Sequence, residues 1–190
     1  MLEEWMRDRP EERFQHIWRH EGHLLGLVGG TLSAPFEPKG EVPVCTAKPP
    51  KWPLPSTLVS EGRFLDDEWV YDPSLAGRVI ANDYEALAVK VAEHLITGNG
   101  KTVLIVTGQR IAVIIQERYT REEKSLLNRF RKTDDEDTGK KPVVWWQAGR
   151  SVIRDLPEVR YGRELGRPKR FRTVVFTDGS ALELAKGDDW

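Results

Sequence analysis

At 190 residues, with 39% apolar and 31% charged side chains, the chain has the balance of a soluble globular protein and can bury one good core, or one core with a small appendage. A formal charge of -1 excludes polyanion binding driven by overall charge and leaves only local patches for that role. The single cysteine, Cys45, excludes an intrachain disulfide and a thiolate zinc cluster; with no basic-then-apolar leader and no apolar window near about 18 residues, the expectation is a reduced, cytoplasmic protein.

Residues 1–34 read as a helical amino-terminal extension. Pro10 precedes EERFQHIWRHEGHLL, which sets Phe14, Ile17, Trp18 and Leu25 on one side, while Gly22, Gly26, Gly29 and Gly30 argue against a long continuation. Residues 35–57 hold Pro35, Pro38, Pro43, Pro49, Pro50, Pro53 and Pro55. Proline at that density blocks helix and central strand alike, so the segment is expected to be an extended linker or a strap on another surface, with Trp52 as its anchor.

Residues 58–190 read as one α+β domain. Asn82 or Asp83 can cap a helix over 83–96 in which Tyr84, Leu87, Ala88, Val91, Ala92 and Leu95 share a face. KTVLIVTG and QRIAVIIQE follow as β-branched strands, then PVVWWQ from Pro142, with shorter strands near SVIRDL and EVRYG. FRTVVF and ALELA flank Thr177-Asp178-Gly179-Ser180, a favourable hairpin turn. A charged insertion near 118–141 combines a Thr120/Glu123 capping box with Leu126, Leu127 and Phe130 as a short helix, then the polar linker TDDEDTGKK. A helix followed by hairpin-linked strands predicts a curved antiparallel sheet or a small barrel with packed helices.

Gly98-Asn99-Gly100-Lys101-Thr102 ends in the Gly-Lys-Thr of a phosphate-binding loop. Such a loop requires a further glycine where Leu95 stands, and it leads from a strand into a helix. Here a helix leads in and a strand leads out, presenting the wrong dipole sign to a phosphate. The reading is a turn, with no nucleotide site.

KTVLIVTGQRIAVI, VVWWQAGRSVIRDL and FRTVVFTDGSALELA together resemble bacterial pleckstrin-homology-like (PH-like) domains over about residues 83–185. Thr107 and Arg110, Arg150, Ser151 and Ile153, and Asp178 and Gly179 fit that pattern. The resemblance implies a small barrel used for scaffolding, protein binding or lipid binding, and it carries over no catalytic residue. Such domains close one mouth of the sheet with a carboxyl-terminal helix; here the 83–96 helix is expected to cover the sheet with Leu87, Val91 and Leu95.

Glu12, His16, His20 and His23 would share a narrow sector of a continuous helix, a spacing able to ligate zinc or another borderline metal and to support a small metal-dependent enzyme. The alternative is a polar helix face whose histidines line up. No nucleophile triad is defined by the serines, Cys45 has no electropositive setting, and Asp66-Asp67-Glu68 is adjacent rather than set across a cleft. The sequence therefore names no catalytic residue and no cofactor.

Between Arg150 and Arg172 eight positive side chains face Asp155, Glu158 and Glu164, with Arg163, Arg167, Lys169 and Arg170 in GRELGRPKRFR as the candidate anion or partner site. Trp145-Trp146 in a strand directs one ring to the core and one outward, a candidate interface anchor. The expected function is a non-catalytic interaction or scaffolding module, with a protein partner or homo-oligomer favoured over an anionic membrane and no specific nucleic-acid signal.

Overall fold

Of the amphipathic segment expected as a helix over 83–96, the part from Leu87 on, continuing to Thr97, forms the helix on which the fold is built, while 83–86 are turn; the computed structural model describes residues 1–120, 141–162 and 168–185. In chain order the elements are α1 (Leu2–Arg7), β1 (Phe14–Arg19), β2 (His23–Val28), β3 (Thr31–Ser33), α2 (Thr57–Ser60), β4 (Leu75–Ala81) and α3 (Leu87–Thr97). They continue with β5 (Val103–Thr107), β6 (Arg110–Gln116), β7 (Pro142–Gly149), β8 (Ile153–Asp155), β9 (Glu158–Tyr161), β10 (Lys169–Phe176) and β11 (Ala181–Ala185). The helix and acidic linker expected in the insertion fall on residues 121–140, outside the described residues.

Two open sheets result. The first, in the order β1-β5-β6-β7, is antiparallel throughout; the second runs β3-β2-β4-β11-β10-β8, with β9 also paired to β10. Strands β2 and β4 are parallel, from His23 opposite Leu75 to Val28 opposite Ala81. Parallel neighbours need a long crossover, and here residues 29–74 supply it, carrying the proline-rich tract and α2. The expected curved antiparallel sheet or PH-like barrel is thus corrected to an α+β fold with open sheets, one of them mixed.

The helix expected across the histidine segment is also corrected, since Phe14–Arg19 and His23–Val28 are strands in different sheets. A register shift between Phe14 and His16 places an extra residue in β1. Phe14 and Ile17 consequently lie on the outer face although three residues apart, while Trp18 enters the central core. A β-bulge here reproduces helical spacing.

The central core joins both sheets and α3 through Leu24, Val79, Leu104, Val113, Val174 and Leu182, with Ala88, Val91, Ala92 and Leu95 from the helix. The outer face of the first sheet is covered by α1, whose Trp5 packs with Ile105 and Ile114. Behind the second sheet, Val59, Trp69 and Val70 pack with Leu25 and Phe171.

Helix α3 is capped from a distance. Asp83 accepts only from the amide of Glu85, a local turn. The first helical amides are instead met by the β10–β11 turn: Leu87 N donates to Asp178 Oδ2 at 2.7 Å and Ala88 N to Ser180 Oγ at 3.0 Å. Burial raises the Asp178 pKa, but hydrogen bonds from Leu87 and Ser180 outweigh it and hold the carboxyl below its ordinary range. Asp178→Ala is expected to cost about 1 kcal/mol in urea denaturation at neutral pH. Because the folded pKa is depressed, the wild-type advantage is full above the ordinary aspartate range and lost on acidification through the folded pKa. An unchanged unfolding free energy at neutral pH would refute the capping role.

Candidate functional site

Residues 35–56 form no regular helix or strand, as their prolines dictate, yet they are held to the body at separate points. Phe36 N donates to Leu24 O at 2.7 Å and its ring is buried. Glu93 of α3, 4% exposed, accepts from the amides of Lys39 and Gly40 at 2.7 and 2.9 Å. A Cβ at Gly40 would stand 2.7 Å from Glu93 Oε2, so a larger residue here would displace the carboxylate that the strap amides hold. Further along, Thr46 N donates to Tyr119 O, and Asn99 Nδ2 donates to Ala47 O at 3.0 Å. The tract lies along the body as a strap.

Trp52 anchors its far end. The indole meets the rings of His20 and His23 edge-on, with centroids 4.8 and 5.7 Å away. Gly100, with φ of +74°, lies beneath it in the turn that resembled a phosphate loop. That turn does other work: Lys101 N donates to Gly98 O, and the Thr102 hydroxyl donates to Leu95 O at 2.6 Å, closing the carboxyl end of α3.

Between strap, β2 and the end of α3 lies a cleft of about 510 Å³ whose walls include His20, Leu24, Phe36, Val42, Trp52 and Ile96. No Asp, Glu, Lys or Arg among the described residues lines it. Its volume falls in the range of small-molecule sites, which are mostly apolar with a few placed polar groups. A larger hollow of about 800 Å³ near the amino terminus mixes Glu3, Arg19, Glu21, Lys101 and Arg118 in its walls, which suits solvent better.

His20 is the unusual polar group of the cleft. It is 4% exposed, and neither ring nitrogen makes a hydrogen bond of good geometry to a protein group. Burial lowers its pKa to about 4; the nearby Gly22 backbone offsets part of this and His23 adds to it. His23 is also lowered, chiefly by burial, with its Nε2 unpartnered.

The four metal candidates do not converge. Glu12 is buried against the first sheet, with Oε1 2.7 Å from Arg110 Nη2 and Oε2 accepting from Thr107 Oγ1 at 2.8 Å. His16 lies beside Trp18, 5.3 Å between ring centroids. Only His20 and His23 meet, on Trp52. Among the described residues no group of three or more His, Cys, Asp or Glu is placed to hold a metal ion. The helix that would have aligned them is absent, because strands send neighbouring residues to opposite faces.

The residues that carried the PH-like resemblance build turns and ties. Thr107 Oγ1 accepts from the amides of Gln109 and Arg110, Arg150 Nη1 donates to Ile153 O, and Asp178 caps α3. Trp146 packs on the central core, while Trp145 is the half-buried extra residue where β7 shifts register against β6. Lys169 and Arg170 are exposed on β10, with Arg170 3.9 Å and Arg172 3.5 Å from Glu158. Arg163 and Arg167 lie outside the described residues.

From sequence the tract was a linker or a strap, with Trp52 as the candidate anchor, and the cleft was missed. Its signals were Gly40 and Gly100, which mark close backbone approach, and the apolar strap residues between the prolines.

Comparison with protein-family models, curated proteins and solved structures returns no match. Among the described residues no helix is long and apolar enough to cross a membrane.

The buried imidazole makes stability depend on pH. The folded His20 pKa lies near 4 against an ordinary value of 6.5, so between these the unfolded chain binds more protons. Stability is therefore full above the ordinary value and falls as pH drops through that window, by about 3 kcal/mol for this residue alone. His16 and His23, also lowered, act in the same direction. Urea denaturation of wild type and His20→Phe from pH 7 to pH 4 should show a shallower decline in the variant; parallel curves would remove His20 as the cause.

Proposed function

We propose that the protein is a non-catalytic binding module whose site is the cleft beneath the proline-rich strap. The observation that carries this reading is the buried imidazole of His20, which makes no hydrogen bond of good geometry to a protein group, in the wall of a largely apolar cleft. Native interiors satisfy nearly all buried polar groups, so one left over in the wall of a cleft marks a place that a ligand can complete. Cys45, half-buried and unbridged, suits a reduced compartment, and a cytoplasmic location belongs to the same proposal. The neutral fluorophore N-phenyl-1-naphthylamine should bind saturably, one per chain, and Val42→Trp, which fills the cleft from the strap, should weaken it about tenfold. Unsaturable binding, or binding untouched in a variant with wild-type unfolding, would defeat the proposal.

A second reading, protein recognition, is favoured by a separate observation. Strand β7 ends the first sheet, has no further strand partner among the described residues, and carries Trp145 in its irregularity. An open edge of this kind accepts an extended peptide as an added strand. Selection from a displayed peptide library should then enrich β-branched extended sequences whose affinity falls about tenfold with Trp145→Ala. Failure to enrich such sequences, or equal binding by the variant, would set this reading aside.

A further inference from the structure

We propose that the cleft beneath the strap selects an uncharged, largely apolar small molecule bearing a hydroxyl or primary or secondary amide, and that this group engages the imidazole of His20. The inference rests on the cleft being the binding site and names the class of ligand that site takes.

No Asp, Glu, Lys or Arg among the described residues lines the cleft, and its two imidazoles are the nearest it has to a cation. Burial keeps His20 neutral until pH falls to about 4 and lowers His23 as well. A carboxylate, phosphate or ammonium entering the cleft would lose hydration without gaining a counter-charge, a cost of several kcal/mol per ion in proteins. An uncharged molecule escapes that cost and gains from the apolar walls of Leu24, Phe36, Val42, Trp52 and Ile96.

Hydrogen-bonding capacity narrows the class further. The other polar lining side chains are already tied to backbone carbonyls: Asn99 Nδ2 donates to Ala47 O, Thr97 Oγ1 to Glu93 O, and Cys45 Sγ to Gly98 O. Neither ring nitrogen of His20, nor His23 Nε2, makes a hydrogen bond of good geometry to a protein group; all three lie shielded from solvent, so a ligand reaches them as the Trp52 ring packed against both imidazoles shifts. A neutral imidazole offers one N–H donor and one acceptor nitrogen. Hydroxyl and N–H-bearing amide groups can both donate and accept, so they match it in either tautomer. A pure hydrocarbon would fill the walls and leave the imidazole unsatisfied, at a cost a native site avoids.

The test uses four naphthalenes of similar shape, 2-naphthol, 2-methylnaphthalene, 2-naphthoate and 2-naphthylmethylammonium, titrated calorimetrically into the full chain at pH 7. The expected order is naphthol tightest, at least about tenfold over either ion. His20→Phe should erase the preference for naphthol over methylnaphthalene while leaving methylnaphthalene bound. Should that variant fold poorly, the wild-type chain labelled with nitrogen-15 at histidine supplies the second measurement: naphthol should shift the His20 ring resonances and methylnaphthalene should not. Naphthoate or the ammonium binding as tightly as naphthol would overturn the ligand class, as would His20 resonances unmoved by bound naphthol. Binding by none of the four, together with loss of the saturable fluorophore site, would instead overturn the cleft as a binding site and this inference with it.

Discussion

The fold depends on burying one face of α3 between two sheets. Ala88, Val91, Ala92 and Leu95 of that helix are 1% exposed or less, and the side chains they meet come from β2, β4, β6, β10 and β11. The two alanines keep the helix surface low where sheet strands cross it, and Val91 and Leu95 fill the space left beside them. Everything else attaches to this arrangement. The amino end of the helix receives Asp178 and Ser180 from the distant hairpin, and the carboxyl end turns through Gly98–Gly100 directly into β5.

The same helix builds the cleft. Its flank carries Glu93, which takes two strap amides, and its last turn places Ile96 and Thr97 in the wall. A buried carboxylate is costly unless its charge is met, and two converging N–H groups from one short stretch of strap meet it with charge-assisted hydrogen bonds. The strap is thus tied at points, by polar contacts at Glu93, Asn99 and Tyr119 and by the rings around Trp52. Between ties it exposes Val44 and Leu54, at 73% and 75%. Its prolines lower the entropy lost on ordering an irregular segment, so few ties suffice to hold it off the body as a preformed wall.

What the sequence disclosed follows from how local each signal is. Helix α3 was legible because its apolar stripe lies within one segment, and β5–β6 and β10–β11 because each pair is joined by a short turn. The amino-terminal strands were not legible, because the register shift in β1 gave Phe14, Ile17 and Trp18 a spacing that suits a helix, and their partners β5 and β4 lie far along the chain. Tertiary pairing overrode the local pattern. The cap on α3 was equally hidden: Asn82 and Asp83 lie ahead of a helix that starts at Leu87 with Ala86 at its N-cap, and the atoms that meet it come from the turn at 177–180. The strap was legible from its prolines and the cleft was not, since a cavity is a relation between segments.

The histidines show how the fold sets chemistry. On one helix, His16, His20 and His23 would have presented three donors to a single point with Glu12 beside them. As strands joined by the turn at His20–Gly22, the same residues part company. Glu12 is consumed by Arg110 and Thr107 in tying the amino-terminal segment to the β5–β6 turn, His16 turns toward Trp18, and His20 and His23 come together on the strap. Asp72 still pulls His23 toward its charged form, but burial outweighs it, and burial keeps His20 neutral down to about pH 4. A sequence pattern suited to holding a cation has become, through one bulge and one turn, a neutral hydrogen-bonding group in an apolar wall.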